Sequence, residues 1–206
     1  LLRAQDGEVS TRFTEIFGTR ATLCLGHIPE KIEQEGATIV VTSKGVRYEF
    51  DELLVASGRE PNSDLVDAAA GGLETHHNGR LVVDQYMQTN VEGVFGLGDI
   101  ANDWQLKHVA NAEAKVVFSN LANPSNPTAV DYSAVPSAVF SNPQVASVGL
   151  TEEEAKARGL TYRIGKRDFG GTAYGWALED ATSIAKVIVD DAPDMILGAH
   201  IIGPQS

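Results

Sequence analysis

Apolar positions recur at helical spacing in the opening segment. Val9, Phe13, Ile16 and Phe17 of DGEVSTRFTEIFG share one face, and Gly18 supplies a stop. The period then shortens to two. ATLCL reads as a strand, while KIEQEG, ATIVVTS and VRYEF alternate about a Lys44-Gly45 turn and predict a hairpin. The run DELLVA is apolar enough for a strand covered on both faces, as in an α/β sheet. GREPNSD follows as a loop in which Pro61 blocks continuation, with a short helix expected over 62–70. A strand around LVV and another in VEGVFGLGD, ending in glycines and an aspartate, complete this stretch. HVANAEAKVVFSNLAN carries the strongest helical pattern, with Val109, Ala112, Val116 and Val117 as a buried stripe extended by Leu121.

Beyond that helix the periodicity stops. NPSNPTAVDYSAVPS is rich in Pro, Asn and Ser and marks a boundary between domains. The pattern after it is α+β: a strand AVF, then SNPQVASVG, then a helix opening at Thr151. Glu154 is placed there for a capping box. YRIGKRDF, SIAKVIVD and ILGAHIIG follow as strands. No internal repeat or low-complexity tract appears.

Composition narrows the function classes. The 206 residues are 43% hydrophobic and 21% charged, a globular balance. The formal charge of −12, from 28 acidic against 16 basic residues, opposes nucleic-acid binding. No run approaches the roughly 18 apolar residues of a membrane span, and LLRAQDGEVS does not open as a signal peptide. The single cysteine, Cys24, makes neither an internal disulfide nor a multi-thiolate zinc site, and its apolar setting places it in the core. That usage fits a reducing, cytoplasmic compartment. His27 and His200 give no metal spacing, and His76 and His77 precede a surface turn, so no metal ligands are expected.

Two segments carry the chemistry: LLVASGREPN at 53–62 and GVFGLGD at 93–99. Each is a strand running into a small-residue turn, where glycine lets a ligand approach the backbone. Ligands of open α/β sheets sit beyond the carboxyl ends of strands, and an aspartate such as Asp99 accepts from a sugar-like hydroxyl or from loop amides. Alone, GLGD is a simple turn.

The order and spacing of the two segments resemble the paired signature of the class I pyridine nucleotide–disulfide oxidoreductase family. That resemblance implies an α/β fold: part of a two-dinucleotide-binding-domain flavoprotein followed by an α+β interface (dimerisation) domain. It places Gly58 near the nicotinamide nucleotide and Asp99 on FAD. Gln105, Leu106, Lys107 and His108 are similar to the segment beside the isoalloxazine, where a helix N-terminus favours electron-rich flavin atoms. VPSAVFSNPQVASVGLTEEEA and ILGAHIIGP resemble the interface domain. DFGGTAYGWALED and QLKHVANAEA are more similar to the mycothione reductases than to the dihydrolipoamide dehydrogenases. Tyr174 and Trp176 are read as packing within the interface domain.

The resemblance divides the chain into 1–52, the rear of the NAD(P)H-binding domain; 53–123, the FAD-binding or central segment; 124–134, a linker; and 135–206, an interface domain truncated at its C-terminus. It implies FAD with NADPH (NADH possible), a low-molecular-weight disulfide substrate, and a homodimer formed through 135–206. It also implies a Cys-x-x-x-x-Cys pair, glycine-rich nucleotide turns and a terminal His–Glu pair. None of these occurs in the sequence, which reads as a fragment with no catalytic residue of its own. A non-catalytic dimerisation module is the competing reading, and the intact GVFGLGD segment weighs against it. The first fifty residues would lack their usual parallel neighbours, so exposed apolar surface and marginal stability are expected.

Overall fold

The computed structural model describes residues 1–192 and 194–206. The chain forms two compact units, one of Leu1–Ser57 with Ala138–Ser206 and the other of Gly58–Ser137.

In the first unit, Asp6 caps helix α1 (Gly7–Gly18), its carboxylate accepting from the Glu8 amide. The predicted stripe holds: Val9 and Phe13 are buried, and Ile16 and Phe17 pack beside them. Strands β1 (Lys31–Glu35), β2 (Thr38–Ser43) and β3 (Val46–Phe50) make an antiparallel sheet in that order. Lys44 and Gly45 both take positive φ, +51° and +74°, which matches the right-handed twist of the strands they join.

Residues 138–206 supply most of a five-stranded sheet. It runs β4 (Ser137–Val139), β5 (Gln144–Gly149), β8 (Ile196–Gly203), β7 (Ile184–Asp190), β6 (Tyr162–Asp168). Helix α3 (Glu152–Ala157) opens on the expected capping box, with Thr151 and Glu154 each accepting from the other's backbone amide. A short α4 (Ala173–Ala177) follows β6. Alternate positions of β7 are buried, so Ile184, Lys186 and Ile188 face one side.

The core joins the two sequence segments of this unit. Val9 and Phe13 of α1 pack with Val145 of β5, Ile184 of β7 and Ile202 of β8. Ile184 and Ile202 are cross-strand partners, and both are fully buried. Ile184→Val removes one methylene from this contact and is expected to cost about 0.5–1.5 kcal/mol. A urea titration with unchanged slope and a lower midpoint would match that loss; an unshifted midpoint would place Ile184 outside the core.

Three sequence expectations fail in this unit. ATLCL forms no strand, and Cys24 is exposed rather than buried. DELLVA forms no strand: residues 51–60 are all exposed, with Leu54 at 89%. Apolar sequence makes a strand only beside another whose backbone groups pair with it, and among the described residues these segments have no such neighbour.

The second unit is built around helix α2 (Lys107–Ala122). Residues 62–72 form successive turns rather than the expected helix, with Asp67 at a φ of +48°. LVV and VFG appear as isolated bridges, Thr75 with Leu81 and Gln88 with Phe95. The buried face of α2 differs from the predicted stripe. Val109 and Val117 are buried as expected, but Ala112 and Leu121 are exposed, and Glu113 and Asn120 take their places. Asn120 explains itself: it accepts from the Thr128 amide and donates to the carbonyls of Thr128 and Tyr86.

Candidate functional site

The GVFGLGD segment ends in a single 3₁₀ turn, Gly98–Ile100. Gly96 is closely packed: a Cβ there would sit 3.0 Å from Val83 Cγ1, so that side chain would have to yield. Gly98 has a φ of +74°, which side-chain-bearing residues rarely adopt.

Glu113 fastens this turn from α2. Its Oε2 accepts from the Gly98 amide at 2.6 Å, and its Oε1 accepts from Asn102 Nδ2 at 2.8 Å and from the Tyr132 hydroxyl. Glu113 is fully buried, so these donors replace the water a carboxylate would otherwise need. Burial, and then the neighbouring Glu113 carboxylate, push the Tyr132 phenol up, which keeps Tyr132 a donor. Asn102 extends the network: its Nδ2 also donates to the Gly98 carbonyl, and its Oδ1 accepts from the amides of Trp104 and Gln105.

With the backbone held, Asp99 projects from the turn and remains partly exposed. Its Oδ2 accepts from Arg59 Nη1 across forty residues of sequence. Arg59 follows Gly58, whose φ is +122°. A cleft of about 530 Å³ opens here, bounded by Arg59, Glu60, Leu97, Asp99, Ile100 and Gln105.

Gln105 and Leu106 lead from the cleft wall into α2. Leu106 is the N-cap and offers no side-chain hydrogen bond, and Ala110 is the first residue whose amide returns to it. The first-turn amides, at Lys107, His108 and Val109, therefore have no partner within the helix. The His108 side chain turns away to other work: its Nε2 donates to the Pro136 carbonyl at 2.8 Å.

Of the residues singled out in the sequence, Asp99 and Gln105 line one cleft. Leu106, Lys107 and His108 continue from it as the start of α2, and Gly58 adjoins it through Arg59. Two contributors were missed. Arg59 lies inside the quoted LLVASGREPN segment, and Glu113 is the sole acidic residue of α2; that isolation on a helix was the available signal.

The donor set suits the ribityl–pyrophosphate part of FAD. A carboxylate such as Asp99 would accept hydrogen bonds from hydroxyls, a guanidinium such as Arg59 would match phosphate oxygens, and helix-start amides such as those of α2 would suit electron-rich atoms. Among the described residues, no group of three or more His, Cys, Asp or Glu side chains could hold a metal ion, and no helix is long and apolar enough to cross a membrane.

Comparison with known proteins agrees in family. Residues 1–114 match the model described as pyridine nucleotide-disulphide oxidoreductase, and residues 135–206 match its dimerisation domain. Mycothione reductase of Mycobacterium tuberculosis is 41% identical over 211 residues, covering 100% of this chain and 46% of that protein. Dihydrolipoyl dehydrogenase of Halobacterium salinarum is 36% identical over 173 residues, covering 82% of this chain and 36% of the relative. The solved structure of the HOCl-induced flavoprotein disulfide reductase RclA from Escherichia coli has a TM-score of 0.87 at 23% identity, covering 99% of this chain and 47% of that one, a likeness of fold. The chain spans less than half the length of each of these relatives.

Proposed function

Because the chain belongs to the pyridine nucleotide–disulphide oxidoreductase family, we propose that it is the rear portion of an FAD-dependent disulfide reductase. The parent protein passes electrons from NADPH, or alternatively NADH, through FAD and a redox cysteine pair to a low-molecular-weight thiol disulfide such as mycothione. The observation that carries the flavin assignment is the Asp99 cleft, where an exposed carboxylate meets a guanidinium and Gln105, just before the start of α2, lines the wall.

When bound, FAD supplies the two-electron step between nicotinamide and disulfide. Asp99 would accept from the ribityl hydroxyls, and Arg59 would offer its charge to the pyrophosphate. Glu113, held by buried donors, keeps the turn in place while the ligand enters. Gly58 would border the nicotinamide nucleotide, and residues 105–108 would hold the isoalloxazine. The parts divide as 1–52, 53–123, a linker at 124–134, and an interface domain at 135–206 that pairs two copies. The setting is cytoplasmic. No disulfide reduction is assigned to these 206 residues alone, because Cys24 is their single cysteine.

Identity over the whole chain favours mycothione over lipoamide as substrate, 41% against 36% over a shorter span. The experiment is a steady-state assay of the parent protein with each nicotinamide nucleotide, offering mycothione disulfide and lipoamide in turn. Preferred turnover of mycothione disulfide with NADPH is the expected result. Preference for lipoamide with NADH would move the protein to the dihydrolipoyl dehydrogenases. Turnover of neither, with no bound flavin, would leave a non-catalytic dimerisation protein.

A further inference from the structure

Asp6 does more than cap α1. Its Oδ1 accepts from the Glu8 amide, and its Oδ2 accepts from the Glu152 amide in the first turn of α3, so one carboxylate caps two helices. Lys186 of β7 donates to both of its oxygens, at 2.9 and 3.0 Å, and to Glu152 Oε2 at 2.5 Å. Asp6 is fully buried and Lys186 is 3% exposed. The Tyr162 hydroxyl of β6 donates to Glu152 Oε1, and Glu153 accepts from the Gly7 amide. On β8, His200 stands opposite Lys186 and donates through Nε2 to the Leu150 carbonyl. Glu8 on α1 is engaged with Lys166 and Arg12.

We propose that Asp6, Lys186 and Glu152 form a permanent charge latch that makes α1 part of the dimerisation sheet's cooperative body. Lifting α1 from the sheet would part Asp6 from Lys186, leaving Lys186 with Glu152 alone and the α3 amide unmet. The same motion would expose Val9 and Phe13. The latch therefore couples by side chains two stretches that fall in different family modules, 1–114 and 135–206. This inference does not depend on the flavin reading.

The latch stays closed across the working pH range. Burial opposes ionisation of Asp6, but Lys186 and the Glu152 amide outweigh it and hold the carboxyl below its ordinary 3.8. Its contribution is thus complete above 3.8 and lost only as pH falls through the depressed value. Burial likewise opposes the Lys186 charge, yet the Glu152 and Asp6 carboxylates hold the ammonium above 10.5. That contribution is present below 10.5 and lost as pH rises through the elevated value.

Hydrogen exchange on the intact protein tests the proposal. At neutral pH the interior amides of α1 and those of β7 should open together, with protection within about tenfold of one another. In Asp6→Asn and in Lys186→Met, α1 should lose protection by much more than β7. Should either variant fail to fold, the wild-type protein gives the same information: below pH 3.8, α1 should lose protection before β7. Independent opening of α1 in the wild type at neutral pH would overturn the latch. So would unchanged α1 protection in both variants.

Discussion

Glu113→Ala is expected to destabilise the unit 58–137 by about 3–5 kcal/mol, because it leaves three donors facing a cavity. The Gly98 amide, Asn102 Nδ2 and the Tyr132 hydroxyl all converge on the deleted carboxylate. Each buried donor left unmet costs about 1–3 kcal/mol, and the partly exposed Tyr132 recovers some of that by turning to water. Glu113→Gln is the informative companion. It keeps an acceptor for one side of the network and places an NH₂ against the other, so a smaller loss is expected. Urea unfolding of both variants measures the difference. If alanine and glutamine cost the same, geometry rather than acceptor count controls the turn. If neither costs anything, the network is not what holds Gly98.

The Glu113 network shows why part of the site was hidden in the sequence. Hydropathy selects α2 correctly, since Val109 and Val117 mark a helix that must bury a face. It cannot select Glu113 or Asn120 as members of that face. Their burial depends on partners elsewhere in the chain, Gly98 for one and Thr128 for the other. Polar residues go inside when partners await them, and those partners are a tertiary fact. The hairpin of β2 and β3 and the capping box of α3 were legible because their determinants are local: a Lys44-Gly45 turn and a Thr151–Glu154 pair. DELLVA failed for the opposite reason. Its pattern specifies a strand, yet pairing needs a neighbour that the described residues of this chain do not provide.

Arg59 and Asp99 illustrate the same divide within the site. Both lie in segments whose small-residue turns stood out in the sequence, but nothing local says that a guanidinium at 59 meets a carboxylate at 99. Family resemblance brought Asp99 forward through its motif and left Arg59 unremarked. Geometry places them on one cleft, where each changes what the other can do. Arg59 compensates the Asp99 charge and, among the described residues, leaves its Oδ1 free.

Asp99→Asn should therefore act on affinity and not on folding. The Arg59–Asp99 pair is solvent-exposed on both sides, and exposed pairs contribute about 0–1 kcal/mol, so the unfolding midpoint should barely move. Flavin binding to the parent protein should suffer far more. An ionised acceptor hydrogen-bonded to a ligand hydroxyl is worth about 1.5–3 kcal/mol, which corresponds to roughly 10- to 100-fold in dissociation constant. Arg59→Met separates two roles for the guanidinium. If Arg59 only blocks Asp99, its removal should tighten flavin binding; if it also meets the pyrophosphate, removal should weaken it. Titration of the deflavinated parent protein with FAD, followed by flavin fluorescence, reads all three proteins on one scale. The expected order is wild type tightest, Arg59→Met weaker, and Asp99→Asn weakest with an unaltered unfolding curve. An Asp99→Asn protein that binds flavin as wild type does would remove the cleft from the cofactor site, while leaving the Glu113 network intact as a purely structural device.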